Sequence, residues 1–330
     1  MTSPPHPSTT STTTPPHTST TSTTNPHLQP NPHPSSFNPS TTTFLSPLSS
    51  KALSRNRLHR YYDSEDKSIP RLPPSYALNP NASSTNAILQ QIIVQFVWNK
   101  VPIDAKEVQE SFEFYLRTRK RLLRKTNATK DKTIVVKDYC AGHGLTGLLF
   151  LCCNPKLAST SSMRLQSIDI KVPPAHAEIV ESLEQVCPWI RGKHEFLIAD
   201  INDDYVDNNN NNNNDDYVNN SNNNNDDSYT ITLALHACGS LTDAVIAKAT
   251  TSSATSSSAS ATSRLALMPC CPPPSNSLQI PLGIKRLYGN REASDIERCY
   301  VLKAKGYHVD FTSIPKEITV MNRIIIAERD

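Results

Sequence analysis

Several features are scarce or absent in this sequence, and each absence excludes a class of protein. The eight cysteines include no C-x-x-C pair, so a zinc site has little support and we expect no metal. The pairs Cys152-Cys153 and Cys270-Cys271 are adjacent, a spacing at which bridging is rare, so we expect free thiols in a reducing compartment. No apolar run approaches the length of a membrane span, which argues against an integral membrane protein.

Acidic residues are also missing before Asp63, and residues 1–50 are mostly Ser, Thr, Pro, His and Asn. Such a segment buries too little apolar surface to offset the entropy lost on ordering, so we predict a disordered low-complexity tail over residues 1–62. The tail is also compatible with an organellar transit peptide, because it is nearly acid-free and ends in an arginine-bearing stretch. Otherwise we expect the protein to be cytoplasmic or nuclear.

Two further tracts have the same low-complexity character. Residues 202–228 are nearly all Asn and Asp, and residues 250–263 are nearly all Ser, Thr and Ala. We predict that both are disordered inserts in connections, where extra length costs little free energy. What remains, over residues 85–330, has the size of one large domain.

Apolar periodicity predicts a helical N-terminal extension followed by alternating strands and helices. The first two helices are predicted over residues 86–98 and 104–124, with Asp104 as an N-cap. The strands are predicted over residues 133–138, 164–170, 194–201, 229–236, 264–269, 308–314 and 323–328. The helices among them are predicted over residues 144–153, 175–186, 241–249 and 295–305, the last closed by Gly306.

The order of these elements indicates an α/β fold. Strands that alternate with helices pair in parallel through right-handed crossovers. Only residues 315–322 separate the last two strands, too few for a crossover, so the last strand should run antiparallel to its neighbour. We therefore predict a Rossmann-like sheet of seven strands with an antiparallel last strand.

The most informative stretch is the turn after the first strand, which reads Asp138-Tyr-Cys-Ala-Gly-His-Gly-Leu-Thr-Gly147. Three of the eight glycines fall in this turn. Glycine lets the backbone approach a ligand closely, and the helix that follows offers free N–H groups and the positive end of its dipole. This combination is typical of a cofactor site.

The second and third strands also end in carboxylates, Asp169 and Asp200. Ligands of open α/β sheets bind beyond the carboxyl ends of the strands. Three carboxylates there suit S-adenosylmethionine, with Asp169 for the ribose hydroxyls, Asp200 for the adenine amino group, and Asp138 for the ammonium, directly or through water. The alternative is that each Asp merely caps the helix or turn that follows it.

Four sequence blocks, in this order, resemble the methyltransferase domain 32 group of class I S-adenosylmethionine-dependent methyltransferases. They are Asp138-Tyr-Cys-Ala-Gly-His-Gly144, Leu235-His-Ala-Cys-Gly-Ser-Leu-Thr-Asp243, Met268-Pro-Cys-Cys271 and Ile318-Thr-Val-Met-Asn-Arg323. The group includes the methyltransferase half of the glutathione S-transferase C-terminal domain-containing protein. It is also similar to the domain of the tRNA 2′-O-methyltransferases that modify the acceptor stem. The resemblance covers residues 85–330.

The resemblance implies an S-adenosylmethionine-dependent methyltransferase with cofactor contacts at Asp138, Ala141, Gly142, Gly144, Asp169 and Asp200, and with His236, Cys238 and Gly239 lining the cofactor pocket near the methyl group. Asp169 lies farther along the chain from Gly142 than the ribose-binding acid of related folds does, which indicates an extra loop over residues 154–162. The two Cys/His zinc modules associated with the acceptor-stem enzymes are absent from the sequence, which disfavours that substrate.

His236 is the candidate general base for an acceptor that must lose a proton, because imidazole titrates near neutrality. The alternative is a histidine that only packs at the end of its strand. Two other functions stay open. Gly142-His-Gly144-Leu-Thr-Gly147 also satisfies the G-x-G-x-x-G pattern of NAD(P)-binding oxidoreductases, and a methyltransferase fold without turnover can serve as a binding module.

The methyl acceptor is the least constrained part of the prediction. The second helix carries a run of basic residues, Arg117, Arg119, Lys120, Arg121, Arg124 and Lys125. They suit either a solvated helix face or a landing surface for an anionic substrate, and the net charge of +3 is too small to decide between the two. We expect RNA to be slightly favoured over protein or a small molecule, we expect no membrane partner, and the sequence predicts no oligomeric state.

Overall fold

The computed structural model describes residues 57–60, 84–125, 132–160, 162–203, 228–251, 263–272 and 280–329. The tail predicted over residues 1–62 and the inserts predicted over 202–228 and 250–263 lie almost wholly outside these ranges, so their disorder remains a prediction. Within the described part of the chain, no helix combines the length and the hydropathy that a membrane span requires.

Seven strands of the described residues form one sheet. They are β1 Thr133–Tyr139, β2 Met163–Asp169, β3 His194–Ile198, β4 Ser228–Ala234, β5 Ser263–Leu267, β6 His308–Ser313 and β7 Arg323–Arg329. Their order in the sheet is β3-β2-β1-β4-β5-β7-β6. β7 runs antiparallel to both β5 and β6, while the other neighbouring strands pair in parallel, which confirms the predicted fold class.

The helices are α1 Thr85–Trp98, α2 Ala105–Leu122, α3 Leu145–Cys152, α4 Pro155–Ser159, α5 His176–Val186, α6 Ser240–Thr251, α7 Leu282–Tyr288 and α8 Asn290–Ala304. Asp104 is the N-cap of α2, as predicted. The sequence did not predict α7, and none of the residues in that helix is buried, so it has no buried apolar face to detect.

Gly306 follows the end of α8, which confirms the prediction that this glycine closes the helix. Gly306 has a φ of 83°, in the left-handed region that favours glycine. The amide of Gly306 donates to the carbonyl oxygen of Lys303 at 3.0 Å, and the amide of Tyr307 donates to that of Leu302 at 3.1 Å. These two bonds satisfy carbonyl groups that would otherwise have no partner in the last turn.

The parallel strands end together at one edge of the sheet. Asp138 of β1 pairs in register with Ser167 of β2, so the residues that follow these two strands lie side by side. β3 ends earlier than predicted, at Ile198, and Asp200 therefore lies in the turn after the strand. The side chain of Asp200 accepts the amide N–H of Asn202 at 2.8 Å, a turn that prevents the strand from continuing.

Helix α2 is fastened to the sheet by a fully buried arginine. Arg264 of β5 is 0% exposed, and its Nη1 donates to the carbonyl oxygen of Leu122 at 2.9 Å. A cation is favourable at this place, because the last carbonyl groups of a helix carry partial negative charge. Near the start of α2, buried Leu58 donates its amide N–H to the carbonyl oxygen of Ile103 at 2.9 Å. Contacts at both ends therefore set the position of α2.

Helix α1 joins the same body through polar side chains. Gln95 Nε2 donates to Gln185 Oε1 of α5 at 2.7 Å, and Asn99 Nδ2 donates to Ser182 Oγ of α5 at 2.8 Å. Apolar side chains of α1, such as Ile92, are buried in the core that α2, α3 and α5 share. The helical extension predicted before the sheet is thus part of the folded domain.

Candidate active site

The glycine-rich turn between β1 and α3 contains three residues with left-handed backbone. Cys140, Gly142 and Gly144 have φ values of 53°, 52° and 76°. A Cβ atom at Gly144 would come within 3.2 Å of Ser167 Oγ, a tight contact, and the left-handed backbone there favours glycine. A Cβ atom at Gly142 would meet nothing within 4 Å, so the turn faces open space at that residue. The space beside Gly142 is where a ligand can approach the backbone.

Asp138 is buried behind this turn. It is 1% exposed, and its Oδ2 accepts the amide N–H of Gly147 at 2.9 Å. Burial raises the pKa of Asp138 to about 7, with a smaller contribution from the charge of Asp169, while the Gly147 N–H acts in the opposite direction. The carboxyl group therefore ties the first turn of α3 to β1, and any contact with a ligand would be indirect.

Asp169 and Asp200 lie nearer the surface of the same edge. Asp169 Oδ2 accepts the amide N–H of Gly142 at 2.8 Å, and its Oδ1 accepts that of Ile170 at 2.7 Å. A carboxylate has about four acceptor sites, so two remain available on Asp169. Asp200 Oδ1 accepts the amide N–H and the side-chain amide of Asn202, at 2.8 and 3.0 Å. Asp200 thus caps a local turn, whereas Asp169 also holds the glycine-rich turn, which is distant in sequence.

The three carboxylates nevertheless surround one small region. The pKa of the Cys140 thiol is raised to about 11, first by burial and then by the charges of Asp169, Asp138 and Asp200. Charges act in this way only over short distances in a protein. The fold therefore brings the acids at the ends of β1 and β2 and the acid after β3 close to Cys140 of the turn.

His236 follows β4 and has a buried partner that the sequence analysis missed. Its side chain is 44% exposed, and its Nε2 lies 3.5 Å from Oε2 of Glu110, whose side chain is 1% exposed. Lys106 Nζ lies 2.8 Å from the other carboxylate oxygen. Burial alone would raise the pKa of Glu110, but the contacts with His236 and Lys106 outweigh it and hold that pKa below its ordinary value. A carboxylate so placed can orient the imidazole.

Helix α2 also lies against the glycine-rich turn. Glu107 Oε2 lies 3.6 Å from Nδ1 of His143, and the hydroxyl of Thr146 donates to Ser111 Oγ at 3.1 Å. The sequence predicted this helix but not its contacts with the glycine-rich turn. No local pattern marks Glu107 or Glu110 as residues of the site, because their partners belong to the turn after β1 and the end of β4.

A buried network of charges holds the loop after β4. Arg298 of α8 is 1% exposed and donates to the carbonyl oxygen of Gly239 at 2.9 Å and to Asp243 Oδ1 at 2.8 Å. It also bonds Asp295, whose second oxygen lies 2.7 Å from Arg323 Nη2. The second and fourth sequence blocks thus meet, through two residues of α8 that lie outside both blocks.

The prediction that all the thiols are free is wrong at one place. Cys238 and Cys270 form a disulfide, with their Cα atoms 5.4 Å apart. The other described cysteines are free: Cys140, Cys152, Cys153, Cys187, Cys271 and Cys299. The bonded residues are distant in sequence but follow β4 and β5, which are adjacent parallel strands. Local cysteine spacing carries no information about such a contact.

Three of the six residues of the basic run, on α2 and just after it, contact acidic side chains. Arg124 Nη2 lies 3.1 Å from Glu328 Oε2 of β7, and Arg117 Nε lies 3.2 Å from Glu113 of its own helix. Arg121 pairs with Asp310 of β6. These pairs account for Arg117, Arg121 and Arg124 without an anionic ligand, which weakens the argument for RNA.

Comparisons with known proteins bear on the class of the domain. A family model described as a methyltransferase domain matches residues 105–273, a little over half of the chain. The matched segment contains three of the four blocks that carry the resemblance. No curated protein sequence matches the chain.

Solved structures of several methyltransferases share the general arrangement at low similarity. An O-methyltransferase family protein from Burkholderia thailandensis is 12% identical, with 82% of this chain and 70% of that chain covered and a TM-score of 0.36. A Listeria monocytogenes protein assigned as a class I S-adenosylmethionine-dependent methyltransferase is 11% identical, with 85% and 84% covered and a TM-score of 0.39. Magnesium protoporphyrin IX methyltransferase from Synechocystis PCC 6803, solved with bound SAH, is 12% identical, with 72% and 87% covered and a TM-score of 0.33.

The chain spans 60% to 62% of the length of three further proteins that it matches. Identities and TM-scores this low add no weight to the assignment, which rests on the family match. That match confirms the class predicted from the sequence and, with it, the cofactor S-adenosylmethionine. The chain belongs to the methyltransferase domain 32 family of S-adenosylmethionine-dependent methyltransferases.

Proposed function

We propose that this protein is an active enzyme that transfers a methyl group to an acceptor bound at the carboxyl ends of β4 and β5, with His236 as the general base. The observation that carries the proposal is the contact between His236 Nε2 and the buried Glu110 carboxylate, at 3.5 Å. A histidine that only packs at a strand end has no need of a buried carboxylate or of a side chain that is 44% exposed. Both features suit proton transfer to and from a bound molecule.

The residues of the glycine-rich turn fit the cofactor in shape and charge. The space beside Gly142 is open, and Asp169 keeps acceptor sites that suit the two ribose hydroxyls. We propose that Ala141, Gly142, Gly144, Asp169 and Asp200 line the cofactor, and that Asp138 acts indirectly by holding the turn. When bound, S-adenosylmethionine supplies a methyl group that its positively charged sulfur makes electrophilic. Nearby carboxylates suit that charge and the charge of the ammonium group.

The protein's own part in the reaction is positioning and proton transfer. Two segments would align the acceptor with the methyl donor: the loop at Gly239, which Arg298 holds, and the turn at Gly142. Such alignment lowers the entropic part of the activation barrier. His236 would accept the proton of the acceptor, and Glu110 would stabilise the imidazolium that results. General bases of this kind accelerate reactions by about 10²–10⁴-fold.

The acceptor itself is left open between RNA, protein and a small molecule. RNA is not preferred in the proposal, because three of the six residues of the basic run are paired with Glu113, Asp310 and Glu328. The oxidoreductase alternative also falls, since the family match is to a methyltransferase domain and the last strand is antiparallel. The remaining rival is a methyltransferase fold that binds the cofactor but has no turnover.

A binding titration followed by a turnover assay would test the proposal. We expect labelled S-adenosylmethionine, but not NADH, to bind the full chain. We then expect methyl transfer to one fraction among total RNA, whole-cell protein and small-molecule extract. His236→Ala should lower that rate about a hundredfold or more with little change in cofactor affinity, whereas His308→Ala on the exposed face of β6 should not. Binding without transfer to any fraction would favour the non-catalytic rival.

A further inference from the structure

Three cysteine sulfur atoms lie together at the end of β4 and β5. The Sγ atoms of Cys238, Cys270 and Cys271 are all within 4.8 Å of one another. Cys238 and Cys271 are exposed, so an ion can reach the group directly from solvent. The cluster combines donors from two loops. A search for C-x-x-C pairs, which finds ligands close together in sequence, therefore does not detect it.

We infer that, in the reduced protein, these three thiolates bind a thiophilic metal ion, with Zn²⁺ as the expected occupant. Thiolates select Zn²⁺ and Cu⁺ over harder cations. A Zn–S bond is about 2.3 Å long, so two thiolates of a tetrahedral site stand about 3.8 Å apart. The three sulfur atoms, all within 4.8 Å of one another, are close enough to approach that spacing once the disulfide is opened. This inference is independent of the proposed methyl transfer.

The bond between Cys238 and Cys270 competes with the metal for the same sulfur atoms. Two molecules of a small thiol, such as the glutathione of a reducing compartment, would open it. The small thiol is oxidised to its own disulfide, and the two cysteines are released as thiols. Each of the three thiols then loses its proton to solvent as the ion binds, so metal affinity rises with pH.

No fourth histidine, cysteine or carboxylate joins the three sulfur atoms within the described ranges. The fourth position of the ion would then be held by water or by another small ligand, which is the coordination found in reactive zinc sites. The cluster also adjoins the proposed base, since Cys270 Sγ lies 3.9 Å from the carbonyl oxygen of His236. The ion would therefore link the loops after β4 and β5 in the reduced protein, as the disulfide does in the oxidised protein.

Metal titration of the reduced full chain tests the site without reference to activity. Zn²⁺ would be added in competition with a chromogenic chelator, after the reductant has been removed under inert gas. We expect one ion per chain and a thiolate-to-metal absorption band when Co²⁺ replaces Zn²⁺. Cys238→Ser, Cys270→Ser and Cys271→Ser should each weaken binding at least tenfold, while Cys299→Ser on α8 should bind like the wild type. A parallel titration with Cu⁺ would show whether that ion displaces Zn²⁺.

Two results would overturn the inference. One is a reduced protein that binds no Zn²⁺ and no Cu⁺ but re-forms the Cys238–Cys270 bond quantitatively on oxidation, as seen by its mass. The other is a one-to-one complex that Cys271→Ser leaves unchanged, since the ligands would then lie elsewhere. Thermal unfolding of each serine variant would distinguish a loss of metal binding from a loss of folding. Cys271→Ser is the most informative variant, because Cys271 is exposed and forms no disulfide.

Discussion

Glu110 Oε2 lies 3.5 Å from His236 Nε2, which joins a helix that precedes the sheet to the end of the central strand β4. The carboxylate is 1% exposed and the imidazole is 44% exposed, so one partner is fixed by the core while the other faces solvent. Such a pair resembles the orienting carboxylate and reactive imidazole of many proton-transfer sites. In the proposed mechanism, this contact gives α2 a part in proton transfer as well as in packing.

Glu110→Gln should therefore reduce methyl transfer without reducing cofactor affinity. The amide keeps the shape of the side chain but cannot stabilise a protonated imidazole by charge, so we expect kcat to fall about ten- to a hundredfold. The matched control is Glu113→Gln, another buried acid of α2, whose partner is Arg117 and not His236. A Glu110→Gln enzyme with full kcat would remove this residue from the mechanism.

Substitutions in the glycine-rich turn should act on cofactor binding instead. Gly142→Arg places a long side chain in the open space beside the turn, at a φ of 52° that costs a non-glycine residue about 1–2 kcal/mol. Asp169→Ala removes the acceptor of the Gly142 amide and of the proposed ribose contact. We expect either change to weaken S-adenosylmethionine binding at least tenfold in a calorimetric titration. Gly283→Arg, at an exposed glycine of α7, is the control that should bind normally.

The stability of the domain should depend on the protonation of Asp138. Its pKa is about 7 in the folded protein and 3.8 ordinarily, so the folded state holds the proton more tightly than the unfolded state. The contribution of this group is therefore complete below about pH 4 and is lost as the pH rises through about 7. Asp138→Asn does not titrate. We expect urea unfolding to show the wild type losing a few kcal/mol relative to the variant over this range, since one pKa unit is worth about 1.4 kcal/mol.

A flat difference between the two proteins from pH 4 to pH 8 would contradict this account of Asp138. The loss should be gradual and monotonic, because a single group titrates between its unfolded and folded pKa values. Asp310→Asn, an exchange at a half-exposed acid of β6, should show no comparable trend.

Removal of Arg298 should be among the most damaging single changes in the chain. Arg298→Met leaves Asp243 and the buried Asp295 with fewer partners, and breaking a buried ion pair from one side costs about 3–5 kcal/mol. Chemical denaturation would measure the loss. The same change at exposed Arg286 of α7 should alter the free energy of unfolding by about 0.5 kcal/mol or less. Equal effects at the two positions would show that the network contributes little.

The sheet could be predicted from sequence because its causes are local. Apolar periods marked each strand, and the short connection over residues 315–322 required an antiparallel β7. β3 was predicted too long because apolar residues continue to Ile201, whereas the Asp200 side chain turns the backbone after Ile198. The end of β3 therefore depends on a side-chain hydrogen bond, which the spacing of apolar residues cannot predict.

The candidate site was only half predictable for the same reason. Gly142, Asp169 and His236 follow strands, and strand ends can be read from a pattern. Glu110 and Arg298 can be assigned to the site only from their contacts in the folded structure. Their partners, His236 and Asp243, lie more than fifty residues away in the sequence. The Cys238–Cys270 bond, across 32 residues, is also a contact that appears only in the folded sheet, between neighbouring loops.

The pairing of β5 with β7 determines how small a working fragment of this protein can be. The family-matched segment stops at residue 273, before α8, β6 and β7. Cut there, β5 would become an unprotected edge prone to aggregation, and Asp243 would lose the guanidinium that neutralises it. The N-terminal cut at residue 105 would also discard α1 and Leu58, both buried against the core. An expression fragment intended for assays should therefore begin before Arg57 and extend through Arg329.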